Sequence, residues 1–169
     1  MRRVGPSSEE EAAATFTRAE LASARFRDDV LAGRRGWRLG DGLFGGLPDD
    51  FDWHRLALAP DEVLSIRYIH WHWWLKISGA TRSPREAARR IRAGLVPGAE
   101  VEGDRRIAER LRSDDPPPEL IAVAAPDGPL VLLEGHVRLT AYAVWPEYLP
   151  DELEILLGVS ESAWRWGCY

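Results

Sequence analysis

Two short apolar runs, Leu120–Ala124 and Leu130-Val131-Leu132-Leu133, stand on either side of Pro126-Asp127-Gly128-Pro129. The second run is apolar at every position. A strand of that kind must be covered on both faces, because a half-exposed strand alternates. The residues between the runs carry turn chemistry. The pair therefore predicts a β-hairpin inside a sheet that other parts of the chain cover. Residues 153–157 predict a third strand, ended by Gly158.

Helical signals fill much of the rest. Ser7-Ser8 followed by Glu9-Glu10-Glu11 reads as a capped helix start, with acids in the first turn. One or two helices are expected over residues 8–31, ended by Gly33. Pro60-Asp61-Glu62 opens another, with Ile66, Ile69, Trp73, Trp74 and Ile77 at helical spacing and Gly79 closing it. Ser83-Pro84-Arg85-Glu86 gives a third start, ended by Gly94. A short charged helix over 104–112 stops at the prolines of "SDDPPPE". Residues 136–144 predict a last helix, stopped by Pro146. The aromatic tail "SESAWRWGCY" is expected to dock.

The expected fold class is α+β: a small mixed sheet from the C-terminal half, packed against N-terminal helices. Residues 1–60 form a helical and glycine-rich extension in this reading, and 61–169 form the α+β domain, the two making one unit. Glycines at 33, 36, 40, 42, 45 and 46 make regular structure unfavourable between those helices and Pro60. Trp37, Leu43, Phe44 and Phe51 would pin that long loop to the body.

Cys168 is the only cysteine, so an intrachain disulfide and a Cys-rich metal site are excluded. The N-terminal stretch lacks the apolar run of a secretory signal, and no segment has the ~20 apolar residues of a membrane span. A soluble cytoplasmic protein is expected. The formal net charge is −5 and Lys76 is the only lysine, an acidic balance that argues against a dedicated nucleic-acid binder. Eight Trp supply rigid surface for a core or for stacking.

The chemistry gathers at Glu134-Gly135-His136-Val137-Arg138, where the second strand ends and the helix begins. A helix start after glycine offers free N–H groups and the positive end of the helix dipole. Gly135 lets a ligand approach the backbone, and His136 and Arg138 can donate to phosphate oxygens. Glu134 beside a phosphate needs a bridging Mg²⁺ or a role as proton acceptor. The plainer alternative is an i,i+4 ion pair between Glu134 and Arg138, with His136 completing a cap.

The stretch from the hairpin through this joint resembles the ParB/sulfiredoxin-like superfamily over residues 118–158. Members carry strand, turn, strand, then an acidic-Gly-His-X-Arg element that opens a helix. The resemblance implies nucleoside triphosphate binding with Mg²⁺. Gly135, His136, Arg138 and Thr140 would hold the nucleotide, Glu134 and His136 would act in catalysis, and Glu134 would be the metal ligand. The element has no cysteine and no helix-turn-helix domain is read after it, so neither sulfinic-acid reduction nor a partition role is expected. The catalytic acid that members place upstream has no evident counterpart. Asp41, Asp49, Asp50 and Asp52 are the candidates.

Two functions lead, and a third, single-stranded nucleic-acid binding, fits the Arg and Trp inventory but not the acidic balance. One is an NTPase or phosphotransferase acting on a small hydroxyl substrate. The other is a non-catalytic module that recognises a partner protein or a nucleotide through a Trp-rich surface. Further constellations are less specific. His70 and His72 would lie about 200° apart on a helix and could not share an ion. Arg67, His70, Trp71 and Trp74 form a stripe suited to stacking or to helix packing. Thr81, Arg82, Ser83 and Arg85 surround a second helix start. Arg34, Arg35 and Arg38 could cover a polyphosphate as a lid. Cys168 lacks the neighbours of a nucleophile.

Overall fold

The computed structural model describes residues 1–39, 42–99, 101–111 and 119–169. In chain order the elements are β1 (Arg2–Pro6), α1 (Glu9–Ala22), α2 (Arg27–Leu31), β2 (Asp52–Leu58), α3 (Pro60–Val63), α4 (His72–Ile77), α5 (Pro84–Arg92), α6 (Val101–Arg110), β3 (Leu120–Ala124), β4 (Val131–Glu134), α7 (His136–Val144) and β5 (Leu153–Val159). The fold is α+β around one five-stranded mixed sheet of order β1-β2-β5-β3-β4. The pair β3–β5 is parallel, and the other three pairs are antiparallel.

The hairpin forms as its sequence predicts. Gly128 N–H closes the turn on the Ala125 carbonyl at 2.9 Å, with Asp127 at φ +57°. Both faces of β3 and β4 are covered, as their unbroken apolar pattern requires. One face carries Leu120, Ala122, Leu132, Ile155 and Leu157 against α5 and α7. The other carries Ile121, Val123, Val131 and Leu133 against Ala12 and Phe16 of α1, Phe44 of the glycine-rich loop and Trp166 of the tail. Three layers result, with the sheet in the middle.

Several expectations are corrected. The sheet does not come from the C-terminal half alone, because β1 and β2 lie within the first 60 residues. β2 pairs with β5 along seven residues, so this segment is integral to the sheet. β5 also runs through Gly158 to Val159. The stretch from Pro60 to Ile77 is not one helix. α3 ends at Val63, and Arg67 then lies alongside β4, with Arg67 N–H donating to the Leu130 carbonyl and Leu132 N–H to the Arg67 carbonyl, both at 2.8 Å. Pairing of this segment with the sheet edge outweighs the local helical spacing. Residues 8–31 form two helices, within the expectation, whereas α6 begins at Val101 rather than at residue 104. The proline run expected to stop α6 lies outside the described residues.

The cap signals at Ser8 and Ser83 hold. The Ser8 side chain accepts from Glu11 N–H and Ser83 from Glu86 N–H, with Pro84 at the first helical position of α5. Arg38 pairs with Glu9, Arg35 with Glu20 and Arg34 with Asp29, so three nested ion pairs tie the glycine-rich loop to α1 and α2. Arg38 also donates to the Leu47 and Pro48 carbonyls. These arginines anchor the loop, in place of the polyphosphate lid suggested by their clustering. Among the described residues, no helix is long and apolar enough to cross a membrane.

Candidate functional site

The joint between β4 and α7 has the predicted strand–glycine–helix form. Gly135 is the N-cap of α7, in the left-handed region at φ +103°, and it offers no capping side chain. A β-carbon there would lie 2.3 Å from Leu120 Cδ2 and 3.2 Å from Arg138 Nη2. Packing and backbone conformation together therefore require glycine at this position, whatever binds nearby.

Arg138 reaches back across this glycine. Its Nη2 donates to Glu134 Oε1 at 3.2 Å, and its Nη1 donates to the Glu119 carbonyl at 3.4 Å. The side chains of Arg138 and Glu134 are 12 % and 19 % exposed, so the pair is largely withdrawn from water but not sealed. Burial pushes the Glu134 carboxyl above its ordinary range. Arg138 opposes that shift, the Glu20 carboxylate adds to it, and Gly135 N–H lowers it. Burial likewise pulls the Arg138 guanidinium down, against the pull of Glu134.

His136 is buried and stacked. Its ring lies 4.8 Å from Trp74 with 21° between planes, and Tyr68 stacks on Trp74 at 5.0 Å. Burial, with a smaller contribution from Arg138, lowers its pKa to about 3. His136 is thus a neutral imidazole at ordinary pH, and its buried Nε2 has no hydrogen-bond partner among the described residues. Thr140 lies one turn further on and is also buried. Its hydroxyl is engaged by the Tyr68 hydroxyl at 2.7 Å and the His136 carbonyl at 2.8 Å, so its position is inside the core rather than at the helix start.

The carboxylate from the N-terminal half whose charge contributes to the raised Glu134 pKa is Glu20, which is not among the expected aspartates. Glu20 is 3 % exposed near the end of α1 and pairs with Arg35. The available signal was its position on the helix face already marked by Ala12 and Phe16, at i+4 and i+8. Of the earlier candidates, Asp41 lies outside the described residues. Asp49 is exposed, Asp50 accepts from Ser160 Oγ, and Asp52 pairs with His54.

The remaining constellations dissolve. His70 precedes α4 and His72 opens it, both exposed, and no three metal-ligating side chains converge among the described residues. Arg67 lies along the sheet edge and so shares no helix face with Trp71 and Trp74. Arg82 donates to the carbonyls of Tyr68, Cys168 and Tyr169, Thr81 to Ser78, and Arg85 to Asp61. Cys168 is buried and its thiol is pushed up by desolvation, the opposite of an activated nucleophile. Of the eight Trp, only Trp71 and Trp164 are exposed. No family model, curated protein or solved structure matches this chain.

Proposed function

We propose that the chain binds a nucleoside triphosphate at the β4–α7 joint and transfers or hydrolyses its terminal phosphoryl group. One observation carries the reading. Among the longer helices, α1 and α5 have their first-turn amides capped by Ser8 and Ser83, whereas α7, like the short α2 and α4, starts with no side-chain cap. An uncapped helix start is an anion site in waiting. Arg138 stands beside it, with Nη2 on Glu134 and Nη1 on the Glu119 carbonyl, and its guanidinium can donate to phosphate oxygens.

Glu134 adjoins the same position, and its raised pKa suits a proton acceptor. A single carboxylate beside phosphates also fits Mg²⁺, which takes one or two protein carboxylates together with substrate oxygens. Glu134 would be the residue to hold such an ion, which would supply charge neutralisation. His136 does not serve as a charged donor in this scheme. Its neutral ring orients the first turn by stacking on Trp74.

The test is calorimetry with ATP, CTP and GTP in the presence of Mg²⁺, followed by phosphate release. Saturable binding by one of them supports the site. The reading fails if none binds at millimolar concentration. The second reading, a binding module without chemistry, rests on the exposed Trp71 and Trp164. Nucleotide binding without phosphate release, across a panel of amino acids and sugars as acceptors, would favour it.

A further inference from the structure

A cavity of about 290 Å³ lies between α1, α2 and the glycine-rich loop, on the face of the sheet opposite α7. Phe16, Leu39, Leu43 and Phe44 supply its apolar wall, and Arg34, Arg35 and Asp29 supply its polar one. The volume is at the small end of ligand sites, and the mix of an apolar body with a few convergent polar groups is typical of them. The apolar wall is held rigidly. Phe44 meets Phe16 edge-on at 5.3 Å, and Trp37 meets it at 5.9 Å.

Two features argue against an ordinary packing gap. Gly36 and Gly42 line the cavity, yet neither has a positive φ. A β-carbon at Gly42 would meet nothing within 4 Å. Backbone conformation and close packing therefore do not require glycine at residue 42, and the missing side chain leaves open space. Leu39 on the wall is 52 % exposed, an apolar contact surface offered to water.

The polar wall carries charged groups. It holds two guanidinium groups and one carboxylate. Arg34 places Nε and Nη2 on Asp29 Oδ1, and Arg35 places Nε and Nη2 on Glu20. Neither uses its Nη1 among the described residues. The Arg34–Asp29 pair is well exposed, a weak surface pair that a competing anion can open. We infer that this cavity binds a small monocarboxylate with an apolar body, its tail on Leu39 and Leu43 and its carboxylate on Arg34 and Arg35. The site is separate from the β4–α7 joint and stands whether or not a nucleotide binds there.

The experiment titrates the full chain with hexanoate and benzoate, and with hexanol and benzyl alcohol as neutral counterparts. It follows the Gly36 and Gly42 amides by NMR and Trp37 by fluorescence. Saturable shifts are expected with the carboxylates, and affinity about tenfold weaker for the alcohols and for Arg34→Gln, the loss of one charge-assisted contact. Gly42→Leu should abolish binding without lowering the unfolding midpoint. Should that variant not fold, Leu39→Trp narrows the same space from an exposed position. No saturable shift with either carboxylate overturns the inference. So does equal binding of the alcohols, or unchanged affinity once the cavity is filled.

Discussion

Leu120 Cδ2 occupies the space that a β-carbon on residue 135 would need, at 2.3 Å. Leu120 begins β3 and Gly135 is the N-cap of α7, so one contact fixes the hairpin's first strand against the helix start. The positive φ of Gly135 adds an independent demand. Gly135→Ala should therefore cost about 2–4 kcal/mol, overpacking and left-handed strain together. Urea unfolding measures it. The two causes separate in a double-mutant cycle: Leu120→Ala should be less damaging in the Gly135→Ala background than alone. Strict additivity would show that strain alone acts.

Removing Arg138 tests the ion pair beside that glycine. With side chains 12 % and 19 % exposed, the pair is closer to buried than to surface. Arg138→Ala should cost about 2–4 kcal/mol, just short of the 3–5 of a sealed pair, since Glu134 loses its partner. Glu134→Gln should cost less, because an amide remains a hydrogen-bond acceptor for Arg138. On nucleotide, the two variants should part: Arg138→Ala weakens binding, whereas Glu134→Gln retains it and abolishes turnover. Normal turnover by Glu134→Gln would remove that carboxylate from the chemistry.

His136 predicts an acid-side loss of stability. Its folded pKa is depressed from 6.5 to about 3, so the neutral ring is favoured by the fold. The unfolded chain takes up the proton first. Stability is therefore present above pH 6.5 and is lost as pH falls toward 3, at about 1.4 kcal/mol per pH unit within that window. His136→Phe keeps an aromatic ring against Trp74 and removes the unpartnered Nε2. Its unfolding free energy should be near that of the parent at pH 7 and flatter between pH 6 and 4. An unchanged acid slope would show that other groups carry it. Glu134 acts with the opposite sign, its raised carboxyl costing stability as pH rises above the ordinary range.

What could be read in advance was local. The hairpin, α7 and the Ser83 cap depend on residues within a few positions of each other, and their signals were in place. β1 and β2 were missed because their pairing is distant and their faces are mixed. β2 carries His54 and Arg55 among apolar neighbours, and Arg55 is satisfied only by Glu11, Glu119 and Glu154 from three other segments. The false helix through Ile66 and Ile69 had correct spacing, but Arg67 found partners on β4. At the joint, Glu134, Gly135 and Arg138 gather where β4 gives way to α7. Thr140 does not, because one further helical turn carries it beneath the helix onto Tyr68.

Glu20 supplies the last prediction, because its role depends on elements far apart in sequence. It is almost wholly buried and paired with Arg35 from the loop, and its charge contributes to the raised Glu134 pKa. Arg35 is about one-third exposed, so water partly replaces it when it is removed. Arg35→Ala should cost about 2–3 kcal/mol, below the cost of breaking a sealed pair. Glu20→Gln isolates the electrostatic link to the joint. Desolvation remains the leading cause of the Glu134 shift, so its pKa should stay above the ordinary range, but it should fall relative to the parent once the neighbouring charge is gone. Carbon-detected NMR titration of the Glu134 carboxyl reads this directly, with Arg138 left in place. A Glu134 titration midpoint that does not move in Glu20→Gln would show that the two carboxylates do not sense each other, and would detach α1 from the chemistry of the joint.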